Sequence, residues 1–285
     1  MLRVGSGAMR TSGVTDVVVG MSTSDHLCWS FDDFTDFRAR AAEFLVDGLV
    51  RGQRACYVAR GDARELAGHL ASSPVLAAAL RDGSAEVIPL ESRYRSGATV
   101  SPNDQVAAYA EATSAALADG FTGLRVAADA TALVSSPASL DAFCRYEHLI
   151  DRYMTGSPFS AMCAYHRPEL ADGTVEQLAS MHPVSNARGA PFRLHATADG
   201  LALVGEIDRA SRELLPLALL RAEPPVDRSE LRVDATGLRF IDHHGLLALH
   251  DCARSHAATL VLRSEKSALA RLVSILGLED VECVR

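Results

Sequence analysis

Short, mostly apolar runs of strand length alternate with amphipathic stretches through the first two thirds of the chain. The runs are residues 55–59, 85–90, 124–128 and 159–165; the stretches at 33–50, 63–70, 103–117 and 139–154 place apolar residues at helical spacing. Runs this short and this apolar suit strands buried on both faces. A strand that returns through a helix lies parallel to its predecessor, so the pattern predicts an α/β domain: a mainly parallel sheet with helices on both faces.

The last third changes rhythm. Residues 192–197 and 201–204 read as a hairpin, 211–221 as a helix, 259–262 as a strand, 267–276 as a helix stopped at Gly277, and 281–284 as a short final strand. Between them lies a strand from Leu231 to Val233 that is broken by Asp234 and Thr236-Gly237. Phe240 and Ile241 then form an apolar step expected to rejoin the core. Asp242 follows as the N-cap of a helix burying Leu246, Leu247 and Leu249, with His243 and His244 on its first turn. The segment 181–191 concentrates turn formers without periodicity. At 285 residues the chain has room for two domains, and these are placed at 22–184 and 192–285 with 185–191 as linker.

Asp234-Ala-Thr-Gly-Leu-Arg-Phe-Ile-Asp-His-His-Gly-Leu246 resembles the STAS-domain signature Asp-Leu-Ser-x-x-x-Phe-Ile-Asp-Ser-Ser-Gly-Leu, with both serines of the Ser-Ser pair replaced. Gly205-Glu-Ile-Asp208 is similar to the Gly-Glu-Leu-Asp that ends the family's second strand. The resemblance implies a smaller α/β fold like that of anti-sigma factor antagonists. It also implies a partner, an anti-sigma factor of the ATPase-kinase type, docking on a surface around Asp208, Asp242, His243, His244 and Gly245. In those antagonists the partner phosphorylates the first serine of the pair, whose counterpart here is His243. A serine kinase finds no hydroxyl there.

The first domain carries Asp25-His-Leu-Cys-Trp29, Phe44-Leu-Val-Asp-Gly-Leu49, Gly123-Leu-Arg125, Tyr146-Glu147, Cys163-Ala-Tyr165 and His182-Pro183 in order. Together they resemble the MEDS sensory domain, which implies a small-molecule or redox sensor on a core like that of the RecA and KaiC ATPases. No Gly-x-x-x-x-Gly-Lys-[Ser/Thr] cradle occurs, so nucleotide hydrolysis is not expected. His26 and Cys28, two apart on a strand or turn, point the same way. With Trp29, Tyr146, Glu147, Cys163, Tyr165, His166 and His182 they form the candidate ligand site, expected above the carboxyl ends of the strands. A loop at 93–97 would overhang the same crevice.

Each of these residues also has a plainer reading. Buried cysteines commonly serve packing, His182 before proline suits a linker, and Glu147 with Asp151 one turn later suits an exposed acidic stripe. Imidazole and thiolate are metal donors and also the surroundings of an oxidant-reactive thiol. The sequence nevertheless shows no compact ligand spacing, so no cofactor is expected, with zinc or another metal as the less favoured option and an organic-ligand pocket favoured over metal.

A net charge of −8 argues against a nucleic-acid partner, which normally meets a basic face. No apolar run is long enough for a membrane span. The first twenty residues read as a loose tail. Six cysteines without a Cys-x-x-Cys pair suit reduced thiols in a cytoplasm. No Gly-x-Ser-x-Gly or His-Glu-x-x-His signature occurs, so an enzyme is not expected. The composite expectation is a cytoplasmic signalling protein, compatible with a homodimer, whose sensor domain controls a STAS surface and so regulates transcription indirectly. The alternatives are an enzyme or ligand carrier with the STAS part as a homodimerisation module, and a pure scaffold.

Overall fold

The computed structural model describes residues 11–94 and 99–285. Its first domain is a parallel sheet of β1 (Gly13–Val14), β2 (His26–Phe31), β3 (Arg54–Ala59), β4 (Ala85–Pro89), β5 (Leu124–Asp129), β6 (Phe159–His166) and β7 (Val184–Ser185). Their spatial order is β1-β7-β2-β6-β5-β3-β4, with every pairing parallel. The connecting helices are α1 (Phe34–Val50), α2 (Ala63–Leu70), α3 (Pro74–Asp82), α4 (Leu90–Arg93), α5 (Pro102–Ala118), α6 (Pro137–Met154) and α7 (Thr174–Ala179). Local chemistry sets the helix starts. Asp33 accepts hydrogen bonds from the amides of Thr35 and Asp36 to cap α1. Ser136 and Ser139 form a reciprocal capping box ahead of Pro137 to open α6.

Strand alternation divides the domain into two cores. On β2, Leu27, Trp29 and Phe31 pack with Phe37, Phe44, Leu66 and Leu76 of α1 to α3. Cys28 faces the other side, where Tyr109 of α5 and Phe143 and Ile150 of α6 cover Cys163 and Tyr165. The tail expectation needs correction, because Gly13 and Val14 pair with Val184 and Ser185 and extend the sheet. Of the anticipated 93–97 loop, Arg93 ends α4, and the part from 95 to 97 lies outside the described residues.

Two of the motifs that carry the family resemblance meet in space and are structural. The Arg125 side chain is fully buried and donates to Gln53 Oε1 (2.8 Å), Asp47 Oδ2 (3.0 Å) and the carbonyl oxygens of Met21, Ser22 and Phe44. Gly48 lets it pass, since a Cβ there would lie 2.4 Å from Arg125 Cδ. Gly123, at φ +156°, likewise leaves room for the Pro158 carbonyl, which a Cβ would meet at 2.2 Å.

The second domain holds β8 (Phe192–Ala196), β9 (Leu201–Ile207), β10 (Glu230–Asp234), β11 (Leu238–Ile241), β12 (Thr259–Arg263) and β13 (Val281–Val284), with α8 (Leu214–Ala222), α9 (His243–Ser255) and α10 (Ser267–Leu276). Its path runs β11-β9-β10-β12-β13, and β8 joins β9 as the antiparallel hairpin. The helix expected from 211 begins later, at Leu214, because Asp208 first caps a single 3₁₀ turn at Arg209–Ser211. Phe240 is a second correction. It is 54% exposed, because the β9–β11 register slips between Leu238 and Phe240 and turns the ring away from the core.

Gly245 is fixed by packing. It is buried on the first turn of α9, where a Cβ would sit 2.3 Å from Ile207 Cγ2 and 3.0 Å from Ile241 Cγ1. Gly245→Ala is therefore expected to destabilise the second domain by about 1–3 kcal/mol through overpacking. Circular dichroism during urea unfolding reads the loss, while fluorescence of Trp29, the single tryptophan, follows the first domain separately. A change below about 0.5 kcal/mol, the size of an ordinary surface substitution, would contradict the packing account.

The domains meet along α6 and α8. Arg221 donates to Asp141 Oδ1 (3.0 Å) and Gln177 Oε1 (2.9 Å), and Arg152 donates to the carbonyl oxygens of Ala222 and Glu223 at the end of α8. Arg145 pairs with Glu223 at 2.7 Å. The Leu194 amide in β8 donates to the Ser180 carbonyl at 2.7 Å.

Candidate functional site

Four elements bring one polar cluster into the core beneath α6. His26 is the first residue of β2 and Cys163 the fifth of β6, and strand pairing of Cys28 with Cys163 sets them on the same face. Glu147 descends from α6, and His182 arrives on the turn between α7 and β7. All four are buried. His26 Nε2 lies 3.0 Å from Glu147 Oε2 and 3.6 Å from Cys163 Sγ; Cys163 Sγ lies 3.6 Å and His182 Nε2 3.5 Å from the same carboxylate oxygen.

The outer atoms of these side chains are held by a second layer of bonds. Asp151 Oδ1 lies 3.2 Å from His26 Nδ1, and the Tyr165 hydroxyl donates to Glu147 Oε1 at 2.8 Å. His182 Nδ1 donates to the Leu178 carbonyl at 2.8 Å, which leaves its Nε2 buried and without a hydrogen-bond partner. The other oxygen of Asp151 accepts the Ala196 amide of β8 at 2.7 Å. One carboxylate thus joins the cluster to the first strand of the second domain.

Burial opposes charge on His26, but the bonds to Asp151 and Glu147 outweigh it and raise its pKa above the ordinary imidazole value. Burial pushes the Glu147 carboxyl up, yet the His182 and His26 rings and the Tyr165 hydroxyl pull it down further, so it is held below its usual range. His182 is lowered to about 4 by burial and by the neighbouring His26 charge. Burial and the Glu147 charge push the Cys163 thiol well up. That is the reverse of the electropositive, partly exposed setting that makes a thiol oxidant-reactive.

The candidate residues separate accordingly. His26, Glu147, Cys163 and His182 converge, with Tyr165 bracing Glu147 and Cys28 on the same face. Trp29 and His166 do not join. Each is an odd number of strand positions from its partner, so the pleat sends it to the other face. Trp29 packs under α1, and His166 bonds Glu169 and the Asp32 carbonyl beside Phe31 and Phe34. Tyr146 lines a neighbouring cavity rather than the cluster.

Three expectations are corrected. The cluster lies on the face of the sheet under α6, not in a crevice at the carboxyl ends of the strands. The acidic stripe of Glu147 and Asp151 is wholly buried, and Asp151 is a site residue that the sequence reading missed. Its signal was available: Glu147 and Asp151 share the helix face of the apolar Phe143, Tyr146, Ile150 and Met154. The third concerns the pocket. Beside Cys163 the cavity lined by Tyr94, Tyr109, Phe143, Tyr146 and Phe159 measures about 20 Å³, room for one water, far below the several hundred Å³ of an organic-ligand pocket.

On the second domain, Ile241 pairs with Ile207, which sets Asp242 beside Asp208 at the strand ends. Asp242 Oδ1 accepts the Gly245 amide at 2.8 Å and caps α9. His243 is exposed, and its ring lies 4.0 Å from that of His244, which lines the groove between α8 and α9. Exposed Phe240 and Asp208 complete this surface. Gly245 lies beneath it and contributes packing.

No curated protein matches the chain. The family model of the MEthanogen/methylotroph, DcmR Sensory domain (MEDS) matches residues 25–183, and that of the Mlab, STAS domain matches residues 191–284. No described helix is long and apolar enough to cross a membrane. With more than half its length matched by the first of these, the chain belongs to the MEDS sensory-domain family and carries a STAS domain behind the sensor.

Proposed function

We propose that this protein is a non-enzymatic signalling element in which the buried cluster of the MEDS domain governs how the STAS surface around Asp208, Phe240, Asp242 and His243 meets an anti-sigma factor of the ATPase-kinase type. Binding that partner frees a sigma factor and alters transcription without contact with DNA. The observation that carries the reading is the divided carboxylate of Asp151, bonded to His26 on one side and to the Ala196 amide on the other. A change in what His26 bonds to alters the anchoring of β8, which is paired along its length with β9, and Asp208 directly follows the end of β9. Ion sensing fits this site better than redox sensing, because the thiol is buried and its pKa raised, and better than sensing of an organic molecule, because the neighbouring cavity has room for one water.

The His-His pair makes the output blind to the partner's kinase activity. In an antagonist with serine at this place, phosphate adds nearly two negative charges and opposes docking by repulsion and desolvation. His243 has no hydroxyl to accept it. Incubation of the protein with ATP and a partner kinase is expected to leave it unlabelled, and His243→Ser is expected to acquire stoichiometric phosphate. Labelling of the unaltered protein at exposed Ser229 or Thr236 would overturn the claim, as would a surface that binds no such kinase.

A further inference from the structure

We propose that His26, Glu147, Cys163 and His182 form a closed four-coordinate site for a divalent transition cation of the zinc type. The ligand atoms His26 Nε2, Glu147 Oε2, Cys163 Sγ and His182 Nε2 all lie within 4.8 Å of one another. Tetrahedral zinc with bonds of about 2.0–2.3 Å sets its ligands roughly 3.3–3.8 Å apart. Of the six separations, three at 3.5, 3.6 and 3.6 Å already fall there, that of 3.0 Å between His26 and Glu147 needs a slight opening, and the two from His182 to His26 and Cys163 lie within 4.8 Å.

The second layer of bonds selects the same atoms. A metal-ligating histidine usually gives its other ring nitrogen to a carboxylate or a backbone carbonyl. His26 does so to Asp151 and His182 to the Leu178 carbonyl, while Tyr165 occupies the outer oxygen of Glu147. Each inner atom is thereby left facing the centre. His182 Nε2 has no hydrogen-bond partner there, although a buried polar atom is ordinarily satisfied.

Charge and donor type agree with a dication of borderline softness. Two imidazoles, one thiolate and one carboxylate suit zinc, whereas calcium and magnesium take oxygen ligands. On binding, Cys163 releases its thiol proton and His26 its Nε2 proton. The dication replaces two positive charges, so the net charge of the cluster is unchanged. Four protein ligands leave no open coordination position, as in structural and sensing sites rather than catalytic ones.

The site is the one on which the proposed function rests, and it gives that reading a signal: occupancy fixes His26, hence Asp151, hence the Ala196 amide. The test uses the full chain, stripped with a chelator and titrated with cobalt(II) as a spectroscopic stand-in for zinc. Saturation at one equivalent is expected, with tetrahedral d–d bands, a thiolate-to-cobalt charge-transfer band, and displacement of both by zinc. Cys163→Ser should abolish the charge-transfer band, whereas Cys252→Ser in the second domain should keep it. Asp151→Asn should weaken binding by about 10–100-fold, as loss of a histidine-orienting carboxylate does.

Absence of a saturable signal from the unaltered protein overturns the site, whether or not the variants fold. So does a charge-transfer band that survives in Cys163→Ser. One cobalt bound with the affinity for the kinase partner unmoved supports the site and overturns the coupling to the STAS surface.

Discussion

Asp151→Ala is expected to destabilise the first domain by about 3–5 kcal/mol, the usual penalty for removing one partner of a buried ion pair. The carboxylate is fully buried and holds two groups at once, the His26 ring at 3.2 Å and the Ala196 amide at 2.7 Å. Its loss leaves a buried imidazole with Glu147 as its remaining carboxylate, and a buried amide without an acceptor. Trp29 lies in the opposite core of the same domain, so its fluorescence during urea unfolding gives the midpoint shift. A second readout is specific to the junction. Hydrogen exchange at Ala196 should accelerate well beyond that of Leu203 in the middle of β9. A shift below about 1 kcal/mol with Ala196 still protected would mean that the carboxylate does not tie the domains together.

Arg125→Ala is expected to have an effect of similar size, about 3–5 kcal/mol, because it empties a buried site and removes the donor to Gln53 Oε1 and to the Met21 and Ser22 carbonyl oxygens, while Asp47 keeps Arg51 as its partner. Burial lowers the guanidinium to about 10 despite the Asp47 charge, so it stays charged at neutral pH and depends on its bonds. Arg125→Lys should recover little, since an ammonium lacks the planar fork that reaches five acceptors. Gly48 supplies the control. A Cβ there lies 2.4 Å from Arg125 Cδ, so Gly48→Ala should destabilise the unaltered protein but be tolerated once Arg125 is alanine. The double-mutant cycle should therefore show coupling of about 1–3 kcal/mol. Additive effects would refute the close-packing explanation of these two motifs.

The helices α1, α2, α5 and α6 and the strands β3 to β6 were legible because their periodicities are local properties. Periodicity alone left the start of α6 at 139, whereas the Ser136 cap opens it at Pro137. By contrast, β1 and β7 are two residues each, too short for any period to register. Phe240 was misplaced for a related reason: a register slip in the β9–β11 pairing decides its face, and register belongs to the pair of strands rather than to one of them.

The candidate site divides along the same line. Two-residue spacing put His26 with Cys28; the same period groups Cys163 with Tyr165 and excludes Trp29 and His166, which the sequence reading had included. Glu147 and Asp151 looked like a solvated stripe because a charge is buried only when a partner compensates it, and the partner, His26, stands 121 and 125 positions away in sequence. Read alone, the sequence determined the α/β alternation, the two families it resembles and the absence of a serine at His243. Only the tertiary structure decided which donors share a centre. Strand order places β2 beside β6, the rotation of α6 aims Glu147 inward, and the turn before β7 delivers His182. Ligand convergence is a three-dimensional property of four distant segments, and no spacing along the chain encodes it.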